Sequence, residues 1–421
     1  MKTILGLTLV LLSLGASAQR RLGRPTVETF QQLAELTGTQ PLALVSFSVA
    51  VSGNTLVIGA PDADGFEGAA YVYTAVNGDW SNLQLTATLT QSSGQATFGA
   101  FASAVAISGD TIVVGGYDST TELGAAYIYI SPSGNVTENA ELTVSGVPSA
   151  LTAIAFDGGT IVAGSPLTSL GNGIEQGAAF VFVEPAGGWV NMTQTAQLAA
   201  NDESAGAEFG NSVGISGRTV VVGAPRAGVD GLRQRGRAYI FVEPAAGWSG
   251  TQGQTTELEP SDGLKEAYFG YSVSASGGNV VVGAPQQTVG ANGTQGAVYV
   301  YTAPSTGWPK TMTETAELTA SSGKAGSELG YSVAISDTTL LAGAPFAHSH
   351  YGVVYVFSEA TGGWQSGPSG VAISASDGAP NNVFGNAVGV GGGVLAVSAV
   401  GWPNGSTTTA DGAVYVFGPV Q

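Results

Sequence analysis

The chain contains no cysteine, which excludes disulfides, thiol nucleophiles, haem-attachment motifs and cysteine zinc sites. Its stability must come from packing and from the way the fold closes. Charge is sparse as well: 10% of the 421 residues are charged, with 12 basic against 30 acidic and a net charge of −18. A nucleic-acid backbone or an anionic membrane surface would be repelled, and no basic stripe offsets the repulsion. No stretch after the N-terminal region is apolar for long enough to span a bilayer. There are only two histidines, and no GxSxG elbow marks a serine nucleophile.

The one apolar run, Ile4 to Gly15, follows Lys2 and precedes Ala16-Ser17-Ala18. A positive start, a short apolar core and a small-residue cleavage site predict a secretory signal peptide over residues 1–18. A short linker is expected over residues 19–29, followed by one domain over 30–421. Glycine is abundant, at 64 residues, without a collagen period. Together with many Val, Thr and Tyr residues it points to short strands joined by tight turns.

The chain repeats itself. FGNSVGISGRTVVVGAPRAG at 209–228 has close copies from Phe269 and from Leu329. Anchored on the first residue of the GAP-like triplet, the repeats fall at Gly59, Gly115, Gly164, Gly223, Gly283, Gly343 and Ser398. An aromatic-aliphatic-aromatic triplet follows each anchor, from Tyr71-Val72-Tyr73 to Tyr415-Val416-Phe417. Each unit reads as four strands: A (SVGIS at 212–216), B (TVVVGAP), C (GRAYIFV) and D (TAQLAA at 195–200). The constant A–B offset predicts a tight hairpin, and the variable B–C segments read as exposed loops.

Seven such units predict an all-β fold, a seven-bladed β-propeller of four-stranded blades. The last unit stops after strand C, while Gln32 to Thr37 repeats the D pattern ahead of the first A strand. Leu33–Thr37 is therefore expected to be the outer strand of the last blade, closing the ring.

These motifs resemble the FG-GAP repeats of the integrin α-chain propeller. FG stands at Phe209-Gly210, Phe269-Gly270 and Phe384-Gly385, with a variant at Phe98-Gly99. GAP stands at 59–61, 223–225, 283–285 and 343–345. The resemblance covers essentially all of the chain after the leader. It implies an extracellular propeller used for binding or adhesion. The family often carries DxDxDG calcium loops between strands A and B. The turns here (SGNT, SGDT, DGGT, SGRT, SGGN, SDTT, GGGV) are too short and too poor in carboxylates, so calcium binding is not carried over.

No catalytic residue, metal ligand or cofactor is assigned. Asp62, Asp64 and Glu67 share one B–C loop and read either as calcium ligands or, preferably, as solvated turn acids. His348 and His350 would point the same way on an extended segment, as a transition-metal pair or as two exposed loop residues. Arg226, Arg233, Arg235 and Arg237 cluster around one loop, to bind an anionic partner or to balance local charge. Trp80, Trp189, Trp248, Trp308 and Trp364 recur after strand C and read as blade caps, whereas Trp402 lies in a B–C loop and is a contact candidate. Arg226, Arg233, Arg235, His348, His350 and Trp402 are the ligand-face candidates. Asn135, Asn191, Asn292 and Asn404 head N-x-S/T sequons.

In such a ring the B–C and D–A loops share one face, and they are the longer and more varied set. The expected function is a secreted, non-enzymatic binding or adhesion module that takes an extracellular protein or glycan on that face. The alternative is an extracellular hydrolase or lyase with a site at the central mouth.

Overall fold

The computed structural model describes residues 29–420 except 38–47, 64–66, 92–100, 119–120, 122, 131–135, 147–148, 170–174, 203, 229–233, 264–265 and 402–411. Residues 1–28, over which a signal peptide and linker are expected, and the Phe98-Gly99 variant lie outside the described residues.

Strand formation follows the period-two pattern. In blade 4 the A strand Ser212–Ser216 pairs antiparallel with B, Thr219–Ala224. B pairs with C, Arg237–Val242, and C with D, Thr256–Glu259. The run Val220-Val221-Val222 is buried throughout, because each face of the sheet packs on a neighbouring blade. The same order recurs in seven sheets. One core cluster joins Val162, Val181 and Leu198 of blade 3 to Val220, Val222 and Tyr239 of blade 4, and comparable clusters fill the other seams. The core is thus a ring of inter-blade seams, with the A strands innermost.

The ring closes as the sequence implies. Phe30–Thr37 pairs antiparallel with Ala413–Pro419, the C strand of blade 7, placing Glu35 opposite Tyr415 and Leu36 opposite Val414. Leu33, Ala34 and Leu36 pack into the seam between blades 7 and 1, against Val394, Ala396 and Leu56.

One feature exceeds the four-stranded expectation. Four of the seven sheets have a fifth strand. Met192–Thr193, Gly250–Gly253, Thr311–Thr313 and Gly367–Ser369 each leave the C–D connection of one blade and pair in parallel with the D strand of the blade before. We call these segments straps. Each covers a D-strand edge that would otherwise offer unpaired backbone groups. The residue just past three of them locks the crossing: Gln194, Gln254 and Glu314 accept from the backbone N–H of Ser145, Asn201 and Ser261 at 3.1, 2.8 and 2.9 Å. Gln32, in the closing strand, does the same to Ser376 N–H at 3.1 Å.

The repeated motif has a geometric cause. Phe209, Phe269 and Phe384 are buried against the first tyrosine of the C-strand triplet, Tyr239, Tyr299 and Tyr415, at ring distances of 5.8, 5.5 and 5.6 Å. Gly270 turns the chain at φ +89°, and its carbonyl lands on Gly223 of the preceding blade. A Cβ at Gly223 would lie 2.0 Å from that oxygen, so only glycine fits. Ser212 Oγ donates to the same carbonyl at 2.9 Å. In blade 2 this role is taken by Phe101-Ala102. Phe101 stacks edge-on to Tyr127 at 5.5 Å, and Ala102 takes φ +66° with its carbonyl against Gly59.

Candidate ligand face

Four D–A loops are tied to the B–C loop of the blade before them. Phe209, Phe269, Leu329 and Phe384 N–H donate to Gln176, Arg235, Gln295 and Tyr351 carbonyls at 2.9 to 3.2 Å. The two loop sets therefore share one face. The residues just ahead, Glu208, Tyr268, Glu328 and Val383, are held at φ between +46° and +56°. Such left-handed backbone costs about 1 kcal/mol or more per residue. The paired loop hydrogen bonds sustain it.

The axis of the ring is a narrow channel of about 240 Å³ walled by the seven A strands, with residues such as Val49, Val105, Ile154, Gly214, Ser274 and Ile335. No ionisable side chain lines it. At the mouth stand Ser103, Thr152, Asn211, Tyr271, Tyr331 and Asn386, each directly after the FG glycine or its counterpart. The opening is thus rimmed by hydroxyls, amides and phenols. From the rim an aromatic row runs outward. Tyr271 and Tyr331 lie 4.9 Å apart, Tyr331 meets Phe346 edge-on at 5.7 Å, and Phe346 meets His350 edge-on at 5.3 Å.

Two acids flank this row. Burial pushes Glu328 up to about 6. Burial also raises Glu208, opposed by Arg226, whose Nη1 stands 2.9 Å from Glu208 Oε1. Tyr271 is raised far above its usual range, first by burial and then by Tyr331 and the two glutamates. The rim therefore presents neutral hydrogen-bonding groups at ordinary pH, with negative charge set back from it.

The arginine cluster separates. Arg226 pairs with Glu208, and Arg237 pairs with Asp202 at 3.1 Å and with Glu257. Arg235 Nη2 donates to the Pro260 carbonyl at 3.4 Å. Arg233 lies outside the described residues. The histidines also part, because their segment is not extended. His348, Ser349 and His350 form a left-handed turn at φ +54°, +61° and +68°. His350 joins the aromatic row, while His348 lines a separate hollow of about 340 Å³ with Tyr351, Ser374 and Ser376.

Trp80, Trp189, Trp248 and Trp364 are buried in seams between blades, and Trp308 packs partly into another. Trp402, Asn135 and Asn404 lie outside the described residues, as does Asp64. Asn191 is exposed, and its Oδ1 accepts from Glu141 N–H at 3.0 Å. Asn292 spends Nδ2 on Gln295 Oε1 at 2.7 Å. Several loop acids are structural: Asp202, Asp262 and Asp377 each accept a C-strand tyrosine hydroxyl at 2.9 Å.

Asn211, Tyr271, Tyr331 and Phe346 were not singled out by sequence. The available signal was positional: the residue after the FG-like pair is Asn211, Tyr271, Tyr331 and Asn386 in the last four repeats, always one step before the A-strand pattern.

A family model described as FG-GAP repeat matches residues 46–73, 84–129, 192–241, 253–301, 312–357 and 371–417. Each of the last four matched segments begins at or beside a strap or D strand and ends on the C strand of the following blade. No curated protein matches the chain. Among solved structures, the computationally designed Ika8 protein is similar over 92% of this chain and 99% of its own, at 17% identity and a TM-score of 0.49. The designed Ika4 protein is similar over 50% of this chain and 98% of its own, at 20% identity and a TM-score of 0.31.

Proposed function

This chain belongs to the FG-GAP repeat family, and from that premise we propose that it is a secreted, non-enzymatic adhesion or binding module that takes an extracellular protein or glycan on its B–C and D–A face. The observation that carries the reading is the aromatic row Tyr271–Tyr331–Phe346–His350 leading into a rim of hydroxyls and amides. Aromatic faces stack on the apolar faces of sugars or on partner side chains, and the rim supplies neutral donors and acceptors for orientation. The net charge of −18 favours a neutral or cationic partner over an anionic one. Hydrolysis at the central mouth would need converging acid and base groups, and the described residues lining mouth and channel include no carboxylate or histidine.

The test is a glycan and surface-protein binding screen of the mature chain, with and without a calcium chelator, followed by Tyr331→Ala. An aromatic contact contributes about 0.5–1.5 kcal/mol. The variant should weaken the recovered ligand by up to roughly tenfold while the melting temperature holds. Unchanged affinity would remove the row from the site.

A further inference from the structure

A large cavity lies away from the ligand face, on the side of the A–B and C–D turns, between the strap Gly367–Ser369 and the blade 6/7 seam that Phe30 enters. It has a volume of about 750 Å³ and is lined by Phe30, Thr338, Val356, Glu359, Trp364 and Gly370 among others. A second hollow of about 340 Å³, reaching Asp337, Gly392 and Pro419, shares Phe30, Thr338 and Thr339 with it. The two form one groove along the seam.

Other seams show what normally fills this place. A tryptophan plugs the seams 7/1, 2/3, 3/4, 4/5 and 5/6, as Trp80, Trp189, Trp248, Trp308 and Trp364. In the last four the plug is carried by the chain that runs into the strap, and the strap runs directly into a D strand. Blade 7 receives its D strand from Phe30–Thr37, so its strap can come only from the residues before Phe30. Aligned on the locking residues, Phe30 of Thr29-Phe30-Gln31-Gln32 stands where Met312 stands before Glu314, and Phe30 packs into the 6/7 seam as Met312 packs into 4/5. Yet the crossing is not made there. Phe30 and Gln31 stay opposite Pro419 and Gly418, and the Thr29 carbonyl accepts from Val420 N–H at 2.8 Å. Among the described residues blade 6 consequently has four strands, with no strap on its D strand Val371–Ile373.

We propose that this groove is a strand-acceptor site, and that its occupant is the chain's own segment Gln19–Glu28 (QRRLGRPTVE), docking as the strap of blade 7. The segment joins Thr29 at the groove. Ten residues reach up to about 33 Å when extended. It brings Leu22, Pro25 and Val27 to an apolar floor of Phe30, Val356 and Trp364. It also brings Arg20, Arg21 and Arg24, a quarter of the protein's 12 bases, to a groove whose charged lining residues are Asp337 and Glu359. The inference is independent of the ligand face.

The test is amide hydrogen exchange of residues 356–373 in two forms of the protein, one beginning at Gln19 and one at Thr29. The form with Gln19–Glu28 should exchange several-fold more slowly there, at every protein concentration. Arg24→Glu should remove part of that protection, and Glu359→Arg in the same chain should return it. Equal exchange in the two forms overturns the proposal. So does protection that grows with protein concentration, which would place a second copy in the groove.

Discussion

At the scale of single residues, the motif is a contact between two backbones. The Gly270 carbonyl fills the space where a Gly223 side chain would stand. Gly223→Ala should therefore force two blades apart and cost about 1–3 kcal/mol, read by chemical denaturation. The control is Gly217→Ala, whose Cβ would meet nothing within 4 Å but whose φ of +54° costs about 1–2 kcal/mol by itself. The excess of the first over the second variant in disruption of the 4/5 seam, seen by exchange at Val273, separates crowding from backbone strain. Glu328 makes a second prediction. Its carboxyl titrates near 6 in the fold, above its ordinary 4.5, because burial favours the neutral form. A raised acid lends stability below its unfolded value and loses it as pH rises through the folded value. Glu328 should thus subtract stability between about pH 4.5 and 6, by about 1 kcal/mol after solvent screening of a partly exposed group. Glu328→Gln should be relatively more stable above pH 6 than at pH 4, and a pH-independent difference in melting temperature would contradict it.

At the scale of elements, two devices hold the ring: the closing strand and the straps. Removing residues 30–37 uncovers the C strand of blade 7 and releases Phe30, Leu33 and Leu36 from two seams. With three partly buried apolar side chains lost, the cost should be about 3 kcal/mol or more, and an unchanged melting temperature would refute the closure. Glu314→Ala should free the strap that crosses from blade 5 to blade 4 and raise exchange at Ser261 without global loss. Closure was legible in sequence because Ala34-Glu35-Leu36-Thr37 repeats the D-strand wording of Ala316-Glu317-Leu318-Thr319. The straps were not, since two to four residues pairing in parallel with another blade leave no period-two signature. Their trace was the recurrence of Gln194, Gln254 and Glu314 at a fixed spacing ahead of strand D. The blade 2 contact was hidden for a different reason. FGAFA offers two phenylalanines, and an alanine, not the expected glycine, takes the left-handed turn at 102. Of the two readings of the histidines, the pair on an extended segment does not form, because a left-handed turn, unforeseen without glycine, leaves both side chains exposed and sends the rings to different neighbours.

At the scale of the whole molecule, seven sheets make a rigid ring whose two faces differ in chemistry. One carries short A–B hairpins, and the other carries the clamped loops, the polar rim and the aromatic row. A scaffold of this kind tolerates loop exchange, because each loop hangs from strands fixed by their neighbours. The direct measurement is to exchange the B–C loops of blades 4 and 6 and compare ligand capture and melting temperature with the parent chain. Capture should vanish while melting changes by no more than a few degrees. Capture that survives the exchange at parental affinity would contradict a binding site on this face.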